Sequence, residues 1–316
     1  MKDTSGFMDN EQEEIQASSG HKLGQLIGDW FQDYFVFPVL NEVANKLNLF
    51  LDHRLQHRQI RSGKIIWNDE YGNGVDYDFV MELGGSDTQR GVPVAFLEAF
   101  WRRGARHSKD KARDDSGKLM PMRSTYPTAR FLGIVASGDF TRPATELARS
   151  RDIDLFYIPK QKIVDSFKKL GMEMDYDDKS SETVKAQFAQ NFLTKFGEEA
   201  KKNAAKILRE TVTETVIRGY IDRVRASLSA LPQEVRIIGE RKSAPKVFET
   251  VDAAENFLHK TPLEFDFSAS KELFTYEITY SDGFEFSRDG LEIEKLQVLN
   301  HDISLLVSHM QHLKNS

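Results

Sequence analysis

Two neighbouring stretches decide the fold: Val75-Asp76-Tyr77-Asp78-Phe79-Val80-Met81-Glu82-Leu83 and Val92-Pro93-Val94-Ala95-Phe96-Leu97-Glu98-Ala99-Phe100-Trp101. Both are rich in β-branched and aromatic residues, and turn chemistry separates them in Gly84-Gly85-Ser86-Asp87. They read as adjacent strands, the second apolar enough to be central. Upstream, Ile65-Ile66-Trp67 is a further β-type run, followed by the turn Asn68 to Gly74. Downstream, Ser108 caps a helix running to about Met120. Phe131 to Ala136 reads as a strand, Thr141 to Arg151 as a helix and Leu155 to Ile158 as a strand closed by Pro159. The order is helix, strand, strand, strand, helix, strand, helix, strand. It predicts an α/β fold with a mixed central sheet flanked by helices.

The opening helix is read from His21. Leu23, Leu26, Ile27, Trp30, Phe31 and Tyr34 recur at three and four, and the helical period continues through Val43, Leu47 and Leu51. Pro38 should kink or restart it. Residues 1–20 are polar and read as a loose arm. Beyond Lys160 the chain turns helix-rich, with a short acidic loop at Asp175 to Asp178, until Leu231-Pro232. A strand, the basic loop Arg241-Lys242, a helix, a hairpin around Ser281-Asp282-Gly283 and a closing helix from Leu291 to Leu313 follow. The expected division is 1–20, 21–160, and a C-terminal α+β region over 161–316.

Composition narrows the function. The chain has 316 residues, 40% hydrophobic and 29% charged, which suits globular domains. It has no cysteine, so disulfides, thiolate metal sites and cysteine nucleophiles are excluded. The longest apolar run, Tyr34 to Leu40, contains Pro38 and is far short of a membrane span. The start of the chain has no apolar signal core. A cytoplasmic protein without membrane contact is expected. The net charge is −6, yet residues 101 to 113 carry six basic side chains against one acid. That local asymmetry points to a polyanion, with DNA as the expected partner.

Three carboxylates carry the chemistry: Asp76, Asp78 and Glu98. Asp76 and Asp78 are two apart on one strand and so share a face. On the next strand Leu97 and Ala99 face one way, and Phe96, Glu98 and Phe100 the other. Antiparallel pairing would bring Asp78 close to Glu98. Paired carboxylates suit a hard divalent cation, Mg²⁺ with Mn²⁺ as a substitute, and the basic run follows directly. Carboxylates, metal and lysine together suit phosphodiester hydrolysis. Plainer readings exist. The two aspartates can be strand-end acids beside the Gly72-Asn73-Gly74 turn. Glu98 can pair structurally with Arg102 or Arg103. The stretch from Arg102 to Arg113 can be a solvated face, and His107 a surface residue.

With these residues in place, positions 75 to 158 resemble the core of the PD-(D/E)XK nuclease superfamily, the restriction-endonuclease-like fold. That core has an Asp on its second strand, an acid on its third, then helix, strand, helix and strand. The stretch Gly138 to Ala148, ending in Leu155-Phe156-Tyr157-Ile158, is similar to the tail of Mrr-like members. The resemblance implies a metal-dependent DNA endonuclease of restriction or anti-phage defence. Cutting both strands of a duplex calls for two active sites, so a homodimer is expected, and the C-terminal region is read as serving target choice, dimerisation or a protein partner. Asp78, Glu98 and Asp76 would bind the metal. The family lysine belongs two residues after Glu98, where this chain has Phe100. Lys111 is the candidate for a displaced lysine, with Lys109 second. Arg102, Arg103, Arg106 and Lys109 would hold the DNA backbone. Two other readings follow: a nuclease fold that lost its chemistry and serves as a DNA-binding or scaffolding module, and a nucleotidyltransferase through Asp76-Tyr77-Asp78-Phe79.

Overall fold

The computed structural model describes residues 19–104, 108–177, 179–240, 244–260 and 273–315. The expected arm falls almost wholly outside them, as do Arg106, His107, Arg241 and Lys242. The chain opens with α1 (Ser19–Trp30), a π-helical turn over Phe31–Val36, and α2 (Phe37–Lys46). Pro38 stands in the first turn of α2, directly after the π-helical stretch. The wider π register accommodates the missing proline N–H without breaking the helix axis. Asn48 then takes a left-handed conformation, φ 47°. This ends the helix, and Phe50–His53 forms β1 where continued helix was expected.

The strands and helices that follow are β2 (Ile65–Asn68), β3 (Gly74–Tyr77), β4 (Phe79–Leu83), β5 (Val92–Arg102), α3 (Ser108–Thr125), β6 (Phe131–Gly138), α4 (Arg142–Arg149) and β7 (Asp154–Pro159). The main sheet has the order β1-β4-β5-β6-β7. β4 runs antiparallel to β1 and β5, and β5, β6 and β7 are parallel. This is the mixed sheet expected. β2 and β3 make a separate hairpin beside it. The single strand read over Val75 to Leu83 is therefore two, and the chain changes sheet at Asp78.

β5 and β6 are buried along nearly their whole length, as central strands covered on both faces must be. Ala95, Leu97, Ala99 and Trp101 pack on one face, against α1, α2 and later helices. Phe96 and Phe100 pack on the other, with Leu119 and Met122 of α3.

Next come α5 (Lys160–Lys168), α6 (Glu182–Leu193), α7 (Glu198–Val212) and α8 (Glu214–Ser229). Their apolar faces (Phe167, Phe192, Leu208, Tyr220) join the same core as Phe31, Leu40 and Leu97. The boundary expected near residue 160 thus cuts through one core. These helices cover a sheet face that would otherwise be open. A second core begins only after them. It is built on β8 (Pro232–Gly239), β9 (Lys246–Phe248), α9 (Val251–Lys260), β10 (Phe274–Tyr280), β11 (Glu285–Leu291) and α10 (Ile293–Asn315). Their antiparallel sheet has the order β11-β10-β8-β9. Arg130 ties the two parts together. It forks onto Asp282 at 2.9 and 3.0 Å and lies 3.6 Å over the Tyr280 ring.

Candidate active site

The change of sheet at Asp78 builds the site. Phe79 pairs with Leu97, so continuing the register sets Asp78 opposite Glu98. β4 starts one residue later, which leaves the Ala99 N–H beyond the ladder, and Asp78 Oδ2 accepts it at 2.8 Å. The other oxygen, Oδ1, meets Arg54 Nε at 2.5 Å. Arg54 leaves the end of β1, and its own N–H donates to the Asp78 carbonyl at 3.0 Å. Gln32, from the π-helical turn, accepts from Arg54 Nε at 2.9 Å and donates to the Ala99 carbonyl at 2.6 Å. Asp78 is thus fixed by β5, β1 and the opening helix together.

Like charges directly opposite on two strands repel. Glu98 shows the consequence. Its side chain is 3% exposed, and its Oε1 receives no hydrogen bond. The cation beside it is Lys118 Nζ, at 3.5 Å. Burial, then Asp78 and Asp115, push the Glu98 carboxyl well above the usual range, against Lys118 and Lys111. Asp78 is also raised. Burial outweighs Arg54, the Ala99 amide and the two lysines.

The lysines come from α3. Lys111, Asp115 and Lys118 are spaced i, i+4, i+7, which places them on one face of the helix, turned to Glu98 and Phe100. Lys111 Nζ bonds Asp115 Oδ1 at 2.5 Å and stands 5.4 Å from the Phe100 ring centre. Lys111 is therefore beside the site, with its ammonium committed to Asp115. Lys118 also reaches the Asp76 carbonyl at 3.3 Å and its carboxylate at 3.6 Å. Burial works against the Lys118 charge, but Glu98, Asp76, Asp115 and Asp78 hold it above the usual lysine range. Burial pushes Asp115 up to about 6 despite Lys111, and its Oδ2 is buried with no hydrogen-bond partner.

Asp76 sits on β3 of the separate hairpin, 44% exposed, between Lys64 at 3.3 Å and Lys118. Burial raises its carboxyl, but Lys118 and Lys64 outweigh that and hold it low. Asp76 ends up on β3 and Asp78 between β3 and β4, so the two aspartates do not share one strand as expected, although both line the same cleft.

Among the expected DNA contacts, Arg102 is exposed at the end of β5 and Lys109 on the first turn of α3. Arg103 turns to the loop before α6. It donates to the Tyr176 carbonyl at 2.7 Å, stacks 3.9 Å from that ring and stands 3.8 Å from Asp175. Neither Arg102 nor Arg103 is an ion-pair partner of Glu98; Lys118 is.

These groups line one open cleft of about 660 Å³. α1 and Gln32 form one wall, Lys111 and Lys118 contribute another, and Glu98, Ala99 and Phe100 lie along the strand between. Among the described residues no three His, Asp or Glu side chains converge as a ready metal cage. Mg²⁺ needs less. It binds through one or two carboxylates and keeps several waters. The oxygen-only pair Asp78 and Glu98 fits it, and Glu98 Oε1, which accepts no hydrogen bond and has Lys118 only at 3.5 Å, is the atom that a cation would satisfy.

Sequence reading missed four of these groups. Lys118 and Asp115 had a signal, the helical spacing from Lys111. Arg54 and Gln32 had none, because only the fold brings them to Asp78. No protein-family model, curated protein or solved structure matches the chain. Among the described residues, no helix is long and apolar enough to cross a membrane.

Proposed function

We propose that the chain is a metal-dependent nuclease that hydrolyses phosphodiester bonds in DNA, built as a restriction-endonuclease-like domain. One observation carries the reading: Asp78 stands opposite Glu98 in a buried pair whose Glu98 Oε1 accepts no hydrogen bond and meets only the Lys118 ammonium at 3.5 Å, at the floor of a cleft edged with lysine and arginine. Arg54 and Lys118 do not fully offset the burial of such a pair, since both carboxyls stay raised, and a divalent cation would. The order of elements supports the same reading. The second strand of the main sheet begins beside Asp78, the third carries Glu98, and α3, β6, α4 and β7 follow.

In this reading Asp78 and Glu98 hold Mg²⁺, with Asp76 near the rim as an outer partner. The ion, when bound, polarises the phosphate and activates water. Lys118 takes the place of the lysine that Phe100 displaces. Its ammonium is directed at Glu98, where a phosphate oxygen would gather charge. Lys111, steered by Asp115, adds positive field from the same helix face. Arg102 and Lys109 hold the backbone without reading sequence. A place in restriction or anti-phage defence rests on the family resemblance alone. Phe100 favours a second reading, a fold kept for DNA binding after its chemistry was lost.

Incubation of the protein with supercoiled plasmid decides between them. The nuclease reading expects nicking in Mg²⁺ that EDTA stops and that Glu98→Gln abolishes. Salt-sensitive DNA binding with no cutting of plasmid or of single-stranded oligonucleotide in Mg²⁺ or Mn²⁺ would replace it with the binding role.

A further inference from the structure

The wall of the cleft opposite the lysines is unusual for a helix. Gly24, Gln25, Gly28 and Asp29 of α1, with Gln32 of the π-helical turn after it, line this wall. Neither glycine has a left-handed backbone. A Cβ at Gly24 would meet nothing within 4 Å, and one at Gly28 would meet only Trp101 Cβ at 4.0 Å. Glycine inside a helix is less stable than alanine. The fold therefore places no demand on glycine at either position, and what their absent side chains leave is open space over the floor. At that floor lies the second observation, the Glu98 oxygen that accepts no hydrogen bond and has the Lys118 ammonium only at 3.5 Å, on a side chain 3% exposed.

Depth decides what can enter. Glu98 and Asp78 lie below the surface, the latter 14% exposed. A cleft of about 660 Å³ has the size of a small-ligand pocket. A space of that volume is only about 11 Å across as a sphere, narrower than a double helix whose major groove alone spans about 12 Å, so a duplex stays outside it. An unpaired strand can bend and lower one phosphate to the floor. Charge agrees. The lining holds five basic side chains (Arg54, Arg102, Arg103, Lys111, Lys118) against four acids (Asp29, Asp76, Asp78, Glu98), and a divalent cation would add to the positive side.

We propose that the substrate is a nucleic-acid strand unpaired at the point of cutting, and that Gly24 and Gly28 form the track along which it passes. The proposal rests on the nuclease reading and narrows its substrate.

The test compares cutting of one labelled oligonucleotide, single-stranded or in a duplex, by wild type, Gly24→Ala and Gly24→Leu, with thermal melting of each protein. The expected result is a preference of at least about tenfold for the single strand. Gly24→Leu should slow its cutting at least about tenfold, with a melting temperature equal to or above that of wild type. Gly24→Ala should fold equally well with a smaller loss. Duplex cut as fast as single strand, or undiminished cutting by a well-folded Gly24→Leu, overturns the proposal and leaves the nuclease standing. Failure of wild type to cut either substrate, with no Mg²⁺-induced change in melting, removes both.

Discussion

Replacing Glu98 with glutamine should make the metal-free protein more stable. The substitution keeps the shape and removes a buried charge that faces Asp78 and Asp115. Asp115 sets the scale. Raised from 3.8 to about 6, it costs the folded state about 3 kcal/mol above pH 6. Glu98 is as deeply buried and is raised by burial, Asp78 and Asp115, so its neutralisation should stabilise the fold near pH 7.5 by an amount of the order that Asp115 sets, about 3 kcal/mol. Lys118 is not orphaned, because Asp76 still holds it through carbonyl and carboxylate. The new amide can donate to the Asp78 carboxylate. With an unfolding entropy of about 2.1 cal/mol/K per residue, this is a rise of about 3–5 °C for a chain of this length. The sign follows from linkage. An acid raised in the folded state loses stability as pH climbs from its unfolded value toward its folded one. Wild type and variant should therefore converge near pH 4.5 and separate at neutral pH. Thermal melting with and without Mg²⁺ reads both effects. Wild type should climb by about 2 °C at a tenfold excess of Mg²⁺ over its Kd, and the variant should not respond. A variant that melts below wild type would show that Glu98 is a structural partner of Lys118, and the reasoning would fall.

Other consequences follow from single residues. Lys118→Ala should slow cutting by about 10²–10³-fold and Lys111→Ala by less, since Lys111 leans on Asp115; single-turnover rates check the order, and the reverse order would return the displaced lysine to Lys111. His53 is buried between the Phe37 and Phe79 rings, and burial, then Arg54 and Arg61, hold it down to about 3. A histidine depressed on folding loses stability as pH falls below its unfolded value, so this side chain should cost about 2 kcal/mol between pH 6.5 and 5. Urea midpoints of His53→Phe should lack that part of the acid sensitivity, and equal pH dependence in both proteins would refute it. Arg58 is buried between Asp52 at 2.8 Å and Glu82 at 2.5 Å. Arg58→Met leaves buried Glu82 without a cation, while Arg61 still holds Asp52 at 2.8 Å, and should cost about 3 kcal/mol in denaturant unfolding; a loss under about 1 kcal/mol would mean that Glu82 finds another partner.

The sheet was legible because its signals are local. Alternation along Phe96 to Trp101 sorts the two faces, and apolar runs mark β5 and β6 as central. Asp78 and Glu98 were legible as a pair because one register step relates them. Features set by distant contacts were not. The left-handed Asn48 turns a helical period into β1. The break at Asp78 depends on the Ala99 N–H, which has no partner until β5 is in place. α5 to α8 carry ordinary amphipathic faces, and nothing in their own sequence tells that those faces close the first core. Arg103 reads as a DNA contact in its basic run, yet Tyr176, more than seventy residues on, takes it.

A crystal of the protein soaked in Mn²⁺ locates the metal through anomalous scattering. The account predicts a peak at the cleft floor, about 2.1 Å from one carboxylate oxygen each of Asp78 and Glu98, with water filling the other positions. A cleft without a peak at saturating Mn²⁺, or a site that leaves Glu98 Oε1 bare, would contradict it.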